Sequence, residues 1–342
     1  MTSTKAPLRC AVLGGGNGIP SALQGLADLA GRGLPLAITA IVATADDGGS
    51  SGRIRRDHGG LPPGDLRRCL LALSQAADGP FARLFRHRYS GEGDLAGHSL
   101  GNLLLTALAE QHGSYVAAVA AAGRMLQARG RVLPVTEEAP RLEGETITGD
   151  RLSGESRIGS APAAIRRLWC EPQGVRPADG VLQALHEADL VVIGPGSHFT
   201  SVLAVLLVDG VADAVRASHA VRILVGNLMT QPGETLGMSM ADHLEALDRH
   251  VGAGLVDTVL LNSTPISEAR LRPYAEQSVE LVTREGLAGR RERFIEAPVV
   301  NDDGKIRHDP ARLAEALIGI VLGRGEHRGR VASARPPDTW AI

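Results

Sequence analysis

Lysine is almost absent from this sequence. Of 36 basic residues only Lys5 and Lys305 are lysines, and the others are arginines. Neither lysine lies in a glycine-rich loop, and the chain has no GxxxxGK[ST] motif, in which a lysine reaches the phosphates of a bound nucleotide. These absences disfavour a P-loop nucleoside triphosphatase and an enzyme that forms a Schiff base on lysine.

Cysteine, charge of one sign and long apolar runs are also scarce. The three cysteines, Cys10, Cys69 and Cys170, are odd in number and far apart, which favours reduced thiols over disulfides or a metal motif. The formal net charge is −2 without a long block of one sign, so we expect neither nucleic acid nor an anionic membrane as a partner. No apolar run of about 18 residues and no signal-like N-terminus occur, so we expect a cytoplasmic protein without membrane insertion.

Apolar runs of strand length recur between helix-like stretches, and they indicate the fold class. The hydrophobic share is 44% of 342 residues, which is enough to bury a core. Because strands that alternate with helices form parallel sheets covered on both faces, we expect an α/β fold. The strands are predicted at 8–13, 38–43, 189–193, 221–226 and 256–261.

Other stretches interrupt this alternation. Leucines at helical spacing and an alanine-rich stretch predict a helical insertion over about residues 60–129. Residues 131–158 alternate like strands with tight glycine turns and predict a small hairpin region. A last helix at 309–322 is expected to end a single domain that spans 8–322, and residues 323–342 are expected to form a flexible tail.

In a doubly wound sheet, ligands bind beyond the carboxyl ends of the strands. The predicted strand ends carry loops rich in glycine, serine, threonine and asparagine, which suit tight turns and polar ligands. Parallel strands would bring these loops to one edge of the sheet, and this convergence is more informative than any single loop. The loops read GGGNG (14–18), ADDGGSSGR (45–53), GPGSHFTS (194–201), GNLMTQPGET (226–235) and NSTPIS (262–267).

The first loop, residues 14–18, joins a predicted strand to a predicted helix. It is not a clean dinucleotide fingerprint, because Ser21 stands where glycine or alanine is expected. A plain turn is the alternative. The strand–loop–helix context favours phosphate binding by backbone amides, where each contact with the helix dipole contributes about 0.3–1 kcal/mol.

The second loop begins with two adjacent carboxylates, Asp46 and Asp47, whose side chains diverge on an extended segment. We expect one of them to bind a sugar hydroxyl or a magnesium ion through water, and the other to cap the turn. Residues 48–52 suit a second nest of amides, with Arg53 and Arg55 as cations for a diphosphate. The alternative is a solvated turn, which is unusual after a buried strand.

Further motifs carry polar side chains. Asp65, in LPPGDLRR, is either the N-cap of a helix or a site residue. His98 and Asn102, in GHSLGN, are four residues apart and are predicted to share a helical face, but no second histidine at metal-ligand spacing supports zinc. Contacts to phosphate, sugar or base are predicted for Gly194, Gly196, Ser197, Asn227, Gln231 and Glu234.

Together these motifs resemble the CofD-like superfamily, and within it the gluconeogenesis factor (YvcK-type) branch. The resemblance extends from about residue 8 to 322. It implies a Rossmann-like three-layer sandwich with a mostly parallel sheet and a small helical insertion. The motifs that carry it are GGGNG, TADDGGSSGRIR, LPPGDLRRCLLAL, GHSLGNLLL, LVVIGPGS-FTS, NLMTQPGET and IRHD.

The resemblance also implies a function. Proteins of this branch bind UDP-sugars such as UDP-N-acetylglucosamine and link carbon metabolism to cell-wall (peptidoglycan) synthesis and cell shape. We therefore expect a non-catalytic regulator, a protein partner in wall-precursor metabolism and an assembly of identical subunits. The alternative is the sister branch, 2-phospho-L-lactate transferase, an enzyme that acts on a deazaflavin with magnesium; an aromatic content of 3% weakly disfavours a stacking pocket for that substrate.

Site residues follow from the same resemblance. Tyr274 matches a tyrosine that would stack on the uracil or the sugar, and Arg307 matches an arginine that would pair with the diphosphate. Two positions depart from the family pattern: His198 stands where leucine is common, and Pro310 replaces a hydroxyl residue that is phosphorylated in some relatives. The other ligand residues predicted are Gly15, Gly16, Asn17, Gly18, Asp46, Asp47, Ser50, Ser51, Arg53, Asn102, Gly196, Ser197 and Asn227, with Asp46 or Asp47 as the magnesium ligand.

Overall fold

Ten strands form two sheets in the part of the chain that the structure, a computed structural model, describes (residues 6–323). Seven of them make a parallel sheet in the order β10-β9-β8-β7-β1-β2-β3, and three make an antiparallel sheet in the order β5-β4-β6. The strands are β1 (Leu8–Gly14), β2 (Leu36–Val42), β3 (Arg131–Pro134), β4 (Arg141–Thr146), β5 (Arg151–Ser153), β6 (Ile165–Glu171), β7 (Leu190–Ile193), β8 (Val221–Val225), β9 (Thr258–Asn262) and β10 (Arg293–Ala297).

Helices cover both faces of the seven-stranded sheet. They are α1 (Ile19–Gly31), α2 (Gly49–His58), α3 (Pro63–Leu73), α4 (Pro80–Arg86), α5 (Leu100–His112), α6 (Tyr115–Met125), α7 (Glu155–Ile158), α8 (Val181–His186), α9 (Ala204–Leu206), α10 (Val211–Ala217), α11 (Met240–Val251), α12 (Glu268–Ala275) and α13 (Pro310–Leu322), with a π-helical turn at His198–Leu203 directly before α9. One face packs against α1, α3 to α6 and α13. The other packs against α8 to α11 and the small sheet. The predicted Rossmann-like three-layer sandwich is confirmed.

Side chains of the central strands alternate between these two cores. Val12 and Val192 face one core, while Leu13 and Ile193 face the other, and all four are fully buried. Because both sides of each strand are covered, the strands read as continuous apolar runs. This is why the five predicted strands agree with the structure to within two residues at each end.

The region predicted as a hairpin differs in part from the structure. Strands β4 and β5 form an antiparallel pair, but β3 pairs in parallel with β2 and forms an edge of the large sheet. Strands β6 and β10 were not predicted at all. Both carry charged residues on an exposed side, such as Arg167 and Glu296, so they lack the apolar run of a strand buried on both faces.

Helices α3 to α6 occupy the predicted insertion over about 60–129. The boundaries of a single domain at 8–322 stay a prediction, and the predicted flexible tail lies outside the described residues from 324 onward. Within residues 6–323 no single helix has the length and apolar composition to cross a bilayer, although one bent pair, His198–Leu206 with Val211–Ala217, meets those two criteria together.

Helix α1 packs closely on α13 through Gly25. A Cβ at Gly25 would lie 1.9 Å from the carbonyl oxygen of Pro310 and 2.8 Å from the Cβ of Ala314. We therefore expect Gly25→Ala to push the helices apart and to lower the free energy of unfolding by about 1–3 kcal/mol. Gly319→Ala, on α13 with open space around the added methyl, is the matched control and should stabilise by about 0.5–1 kcal/mol. Denaturant titration measures both, and equal effects would contradict this packing.

Candidate functional site

A cleft opens where the strand order reverses. From β1 the sheet continues to one side through β2 and β3, and from the neighbouring strand β7 it continues to the other side through β8, β9 and β10. The loops after β1 and β7 therefore diverge at the carboxyl edge of the sheet. The cleft has a volume of about 500 Å³, which lies within the range of about 300–1,000 Å³ that is usual for small-ligand pockets. Loops after β1, β2, β7 and β8 line it, together with side chains from α3, α7, α12 and the segment before α13.

The predicted convergence of the strand-end loops is present for four of the five loops: residues of 14–18, 45–53, 194–201 and 226–235 line the cleft, whereas none of 262–267 does. Gly15 lies directly behind the cleft wall, where its carbonyl oxygen would be 3.2 Å from a Cβ on Gly196. Ten of the residues predicted to contact a ligand line the cleft itself: Gly16, Asn17, Gly18, Asp46, Gly196, Ser197, Asn227, Gln231, Tyr274 and Arg307. Their contacts with a ligand stay predictions.

Three residues singled out from the sequence, Ser50, His98 and Asn102, belong to a buried polar network and do not line the cleft. Ser50 Oγ lies 3.2 Å from His98 Nδ1 and accepts a hydrogen bond of 3.1 Å from Asn102 Nδ2. Arg67 Nε donates to Asn102 Oδ1 at 2.9 Å, and burial lowers the pKa of Arg67 to about 10. Ser51 is buried nearby. His98 precedes α5, so the prediction that it shares a helical face with Asn102 is wrong, although both side chains meet at Ser50.

The two arginines predicted as cations for a diphosphate point elsewhere. Arg53 donates to the carbonyl oxygen of Ala96 at 2.8 Å, and Arg55 donates to the carbonyl oxygens of Ala139 and Pro140. These contacts fasten α2 to neighbouring loops. The structure therefore does not place either guanidinium on the cleft wall.

An ion pair on α3 holds the glycine loop after β1. Asp65 Oδ2 accepts a hydrogen bond from the Gly16 amide at 2.5 Å, and Arg68 Nε donates to the Gly16 carbonyl oxygen at 3.2 Å. Arg68 also pairs with Asp65. Gly16 has a φ of +64°, a left-handed conformation that glycine adopts without strain. Asp65 does not cap α3, because the N-cap position is Pro62. Its carboxylate instead binds the glycine loop.

A second carboxylate holds the loop after β7. Glu234 is buried and accepts hydrogen bonds from the amides of Phe199 and Thr200, at 2.9 and 3.3 Å, and from the Thr200 hydroxyl at 2.8 Å. Burial raises the pKa of Glu234, and these hydrogen bonds oppose the shift. Gln231, which lies with Glu234 on the loop after β8, donates from its Nε2 to Ser197 Oγ at 3.3 Å.

The opposite wall comes from α12 and the segment before α13. The Tyr274 hydroxyl accepts a hydrogen bond from the Ile306 amide at 2.9 Å, which ties the two segments together next to Arg307. The guanidinium of Arg307 has no carboxylate within 4.0 Å among residues 6–323. His308 lines the same wall, and burial lowers its pKa to about 4.

Carboxylates gather on the side of the cleft that lies near β2. Asp46, Asp65 and Glu155 all line it. Burial raises the pKa of Glu155 to about 7, with further contributions from Asp46, Asp47 and the other carboxylates nearby. Burial, and then Asp65, also raise the pKa of Asp46. Sequence reasoning missed Glu155, because nothing in the hairpin region indicated that α7 packs beside the loop after β2.

Of the two aspartates predicted as a magnesium ligand, Asp46 is the one on the cleft wall. Asp47 Oδ1 accepts a hydrogen bond from the Ser156 amide at 2.9 Å instead. In the described part of the chain no three His, Cys, Asp or Glu side chains converge to hold a metal ion. Mg²⁺ is often held by one or two carboxylates together with phosphate oxygens and water. Asp46 fits that kind of site, in which the ion would neutralise charge on a bound phosphate.

The raised pKa of Glu155 leads to a pH-dependent prediction. An acid whose pKa rises on folding destabilises the folded state as the pH increases from its unfolded value, 4.5, through about 7. Glu155→Gln removes this cost, so the variant should be more stable than the wild type at pH 8, with a much smaller difference at pH 4.5. Thermal unfolding at the two pH values measures this. A difference independent of pH would contradict the assigned environment of Glu155.

Sequence comparison adds to this geometry. Residues 10–300 match the family model described as 2-phospho-L-lactate transferase CofD. The chain belongs to the CofD family. Within this family it is similar to the gluconeogenesis factor of Listeria monocytogenes, at 40% identity over 92% of this chain and 95% of that protein. The gluconeogenesis factor of Bacillus subtilis is 39% identical over 92% of this chain and 98% of its own length.

A solved structure of a related protein has the same fold. The crystal structure of a protein of the UPF0052 family from Bacillus halodurans superimposes with a TM-score of 0.86 at 38% identity. The match covers 92% of this chain and all of that one. The resemblance inferred from the motifs is therefore confirmed.

Proposed function

We propose that this protein is a gluconeogenesis factor: a cytoplasmic regulator that binds a UDP-sugar, UDP-N-acetylglucosamine, and links carbon metabolism to cell-wall synthesis and cell shape. The names of its relatives support the regulatory class. The proposal includes a protein partner in wall-precursor metabolism and an assembly of identical subunits.

One observation carries the choice of ligand. A single cleft brings the glycine loops after β1 and β7 opposite Tyr274 and Arg307, which lie far along the chain. Backbone amides in glycine loops suit a diphosphate, an aromatic ring suits a uracil, and a free guanidinium suits a phosphate oxygen. Together these groups suit a nucleoside diphosphate that carries a sugar.

Two hydroxyl groups of the cleft, those of Ser197 and Thr200, are engaged in structural hydrogen bonds, which favours binding over nucleophilic chemistry. Ser197 Oγ accepts from Gln231, and the Thr200 hydroxyl donates to Glu234. An activated nucleophile instead needs a base that takes its proton. The carboxylate that accepts from Thr200, Glu234, also accepts from the amides of Phe199 and Thr200 and so serves to hold the loop after β7.

The second candidate is an enzyme of the 2-phospho-L-lactate transferase type. The description of the matching family model and the position of Asp46 on the cleft wall favour it. In that case a magnesium ion at Asp46 would neutralise phosphate charge, and the amides of the glycine loops would orient the phosphates.

Two incubations separate the candidates. Purified protein with Mg²⁺ is mixed with UDP-N-acetylglucosamine, or with a deazaflavin and a phospholactyl-nucleotide donor. Proton saturation-transfer spectra then detect binding, and ³¹P spectra recorded over time detect turnover. We expect saturation transfer from the protein to UDP-N-acetylglucosamine, with the sugar nucleotide left intact, and no product from the second mixture. Turnover of the deazaflavin, lost in Asp46→Ala, would support the transferase instead.

A further inference from the structure

The groups that line the cleft follow the order of the strands. Carboxylates lie at the β2 side, the glycine loops follow β1 and β7 in the middle, and Asn227 follows β8. Tyr274 and Arg307 lie beyond, on segments after β9 and β10. Neighbouring strands are about 4.8 Å apart, so the β2 side and the β8 side are separated by roughly 14 Å. An extended ligand with two chemically different ends suits such a cleft.

Two internal carboxylates already occupy backbone amides at which a phosphate would otherwise bind. Asp65 accepts from the Gly16 amide, and Glu234 accepts from the amides of Phe199 and Thr200. Helix starts of this kind are common anion sites. A ligand phosphate is therefore restricted to the remaining centre of the cleft and to the side of Arg307.

The β2 side is unfavourable for a further anion. Asp46 and Glu155 line it, and the arginine there, Arg68, is paired with Asp65. Carboxylates accept hydrogen bonds readily from hydroxyl groups, but they repel a phosphate. This side therefore suits a neutral group that carries several hydroxyls.

The opposite side suits a nucleoside. Tyr274 offers a ring, and Arg307 offers a guanidinium that has no carboxylate within 4.0 Å in the described part of the chain. His308 also lines this side; it is only 9% exposed, and its Nε2 has no hydrogen-bond partner among the described residues.

Because the proposed function already brings the nucleotide to Tyr274 and Arg307, we propose that the sugar lies against the β2 side, where Asp46 and Glu155 select against ligands that end in a phosphate. These two carboxylates thus discriminate a nucleoside diphosphate sugar from the free nucleoside diphosphate or triphosphate. The inference rests on the proposed function and assigns the residues that determine specificity.

Calorimetric titration with UDP-N-acetylglucosamine, UDP and UTP tests the proposal. The buffer contains EDTA, because a divalent cation would screen the carboxylates, and is held at pH 8. The wild type should bind UDP-N-acetylglucosamine at least about tenfold more tightly than UDP, and UTP least, since about 1.4 kcal/mol of charge repulsion corresponds to tenfold. Glu155→Gln should reduce the preference for UDP-N-acetylglucosamine over UTP by about tenfold, because the variant lacks the repulsion between the Glu155 carboxylate and the terminal phosphate.

Glu145→Gln is the matched control. It removes a carboxylate from β4, where Glu145 pairs with Arg166 away from the cleft, and it should leave the preference unchanged. Asp46→Asn provides a second test if Glu155→Gln does not fold. Equal affinity of the wild type for UDP and the sugar nucleotide, or a preference unchanged in a folded variant at either position, would overturn the inference but not the proposed function. Absence of binding by all three ligands would contradict both.

Discussion

Replacing Arg307 with alanine is expected to weaken the binding of UDP-N-acetylglucosamine by about 10- to 150-fold, because a hydrogen bond to a charged group contributes about 1.5–3 kcal/mol. Arg307 lines the cleft, and its guanidinium is not committed to a carboxylate of the described chain. The stability of the fold should change little. Calorimetry and thermal unfolding on the same sample separate the two effects.

Two variants serve as comparisons for Arg307→Ala. Arg272→Ala removes an exposed arginine from α12, outside the cleft wall, and should bind like the wild type. Tyr274→Phe keeps the ring but loses the acceptor for the Ile306 amide, so it should weaken binding by about fivefold, the equivalent of about 1 kcal/mol. Wild-type affinity in Arg307→Ala would show that this arginine does not contact the ligand.

Acidification is expected to destabilise the protein through His308. The unfolded imidazole has a pKa of 6.5, and burial lowers the folded value to about 4. The neutral ring therefore contributes stability above pH 6.5, which is lost as the pH falls from 6.5 towards 4. Between pH 7.5 and pH 5 this single group costs about 2 kcal/mol, since each unit of pKa shift corresponds to about 1.4 kcal/mol.

Other groups titrate in the same range, so a variant is needed to isolate His308. Burial also lowers the pKa values of His198, His243 and His250, whereas Glu155 acts in the opposite direction. The difference in free energy of unfolding between His308→Leu and the wild type should shift in favour of the variant by about 2 kcal/mol when the pH is lowered from 7.5 to 5.

Ile306→Leu, at a buried position that does not titrate, is the control for His308→Leu. Its effect should be the same at both pH values. An effect of His308→Leu that is also independent of pH would contradict the burial of a neutral imidazole at this position.

The central strands could be predicted from the sequence, but the strands at the edges of the sheet could not. Strands such as β1 and β7 are apolar on both sides, because a helical layer covers each face, and this leaves a clear run of residues. Strand β3 was assigned to a hairpin, since its four residues do not show which strand they pair with. Strand β10 reads RFIEA, a short segment with two charged residues and no alternation, and a loop can have the same composition.

The site divides in the same way. Residues in strand-end loops, such as Gly16 and Asn227, were predicted to converge because parallel strands all end at one edge. Cleft side chains that lie outside the strand-end loops reach the site through tertiary packing, which a local sequence pattern does not predict. Arg68 follows Asp65 by one helical turn in LPPGDLRR, so the motif contained a signal for this pair, whereas Glu155 had none.

The central claim is that the cleft binds a UDP-sugar, and calorimetric titration of UDP-N-acetylglucosamine into the wild-type protein tests it most directly. The account predicts saturable binding at one site per chain with a dissociation constant on the order of micromolar, equivalent to about 8 kcal/mol. Absence of binding up to millimolar ligand, by protein that unfolds cooperatively on heating, would contradict it.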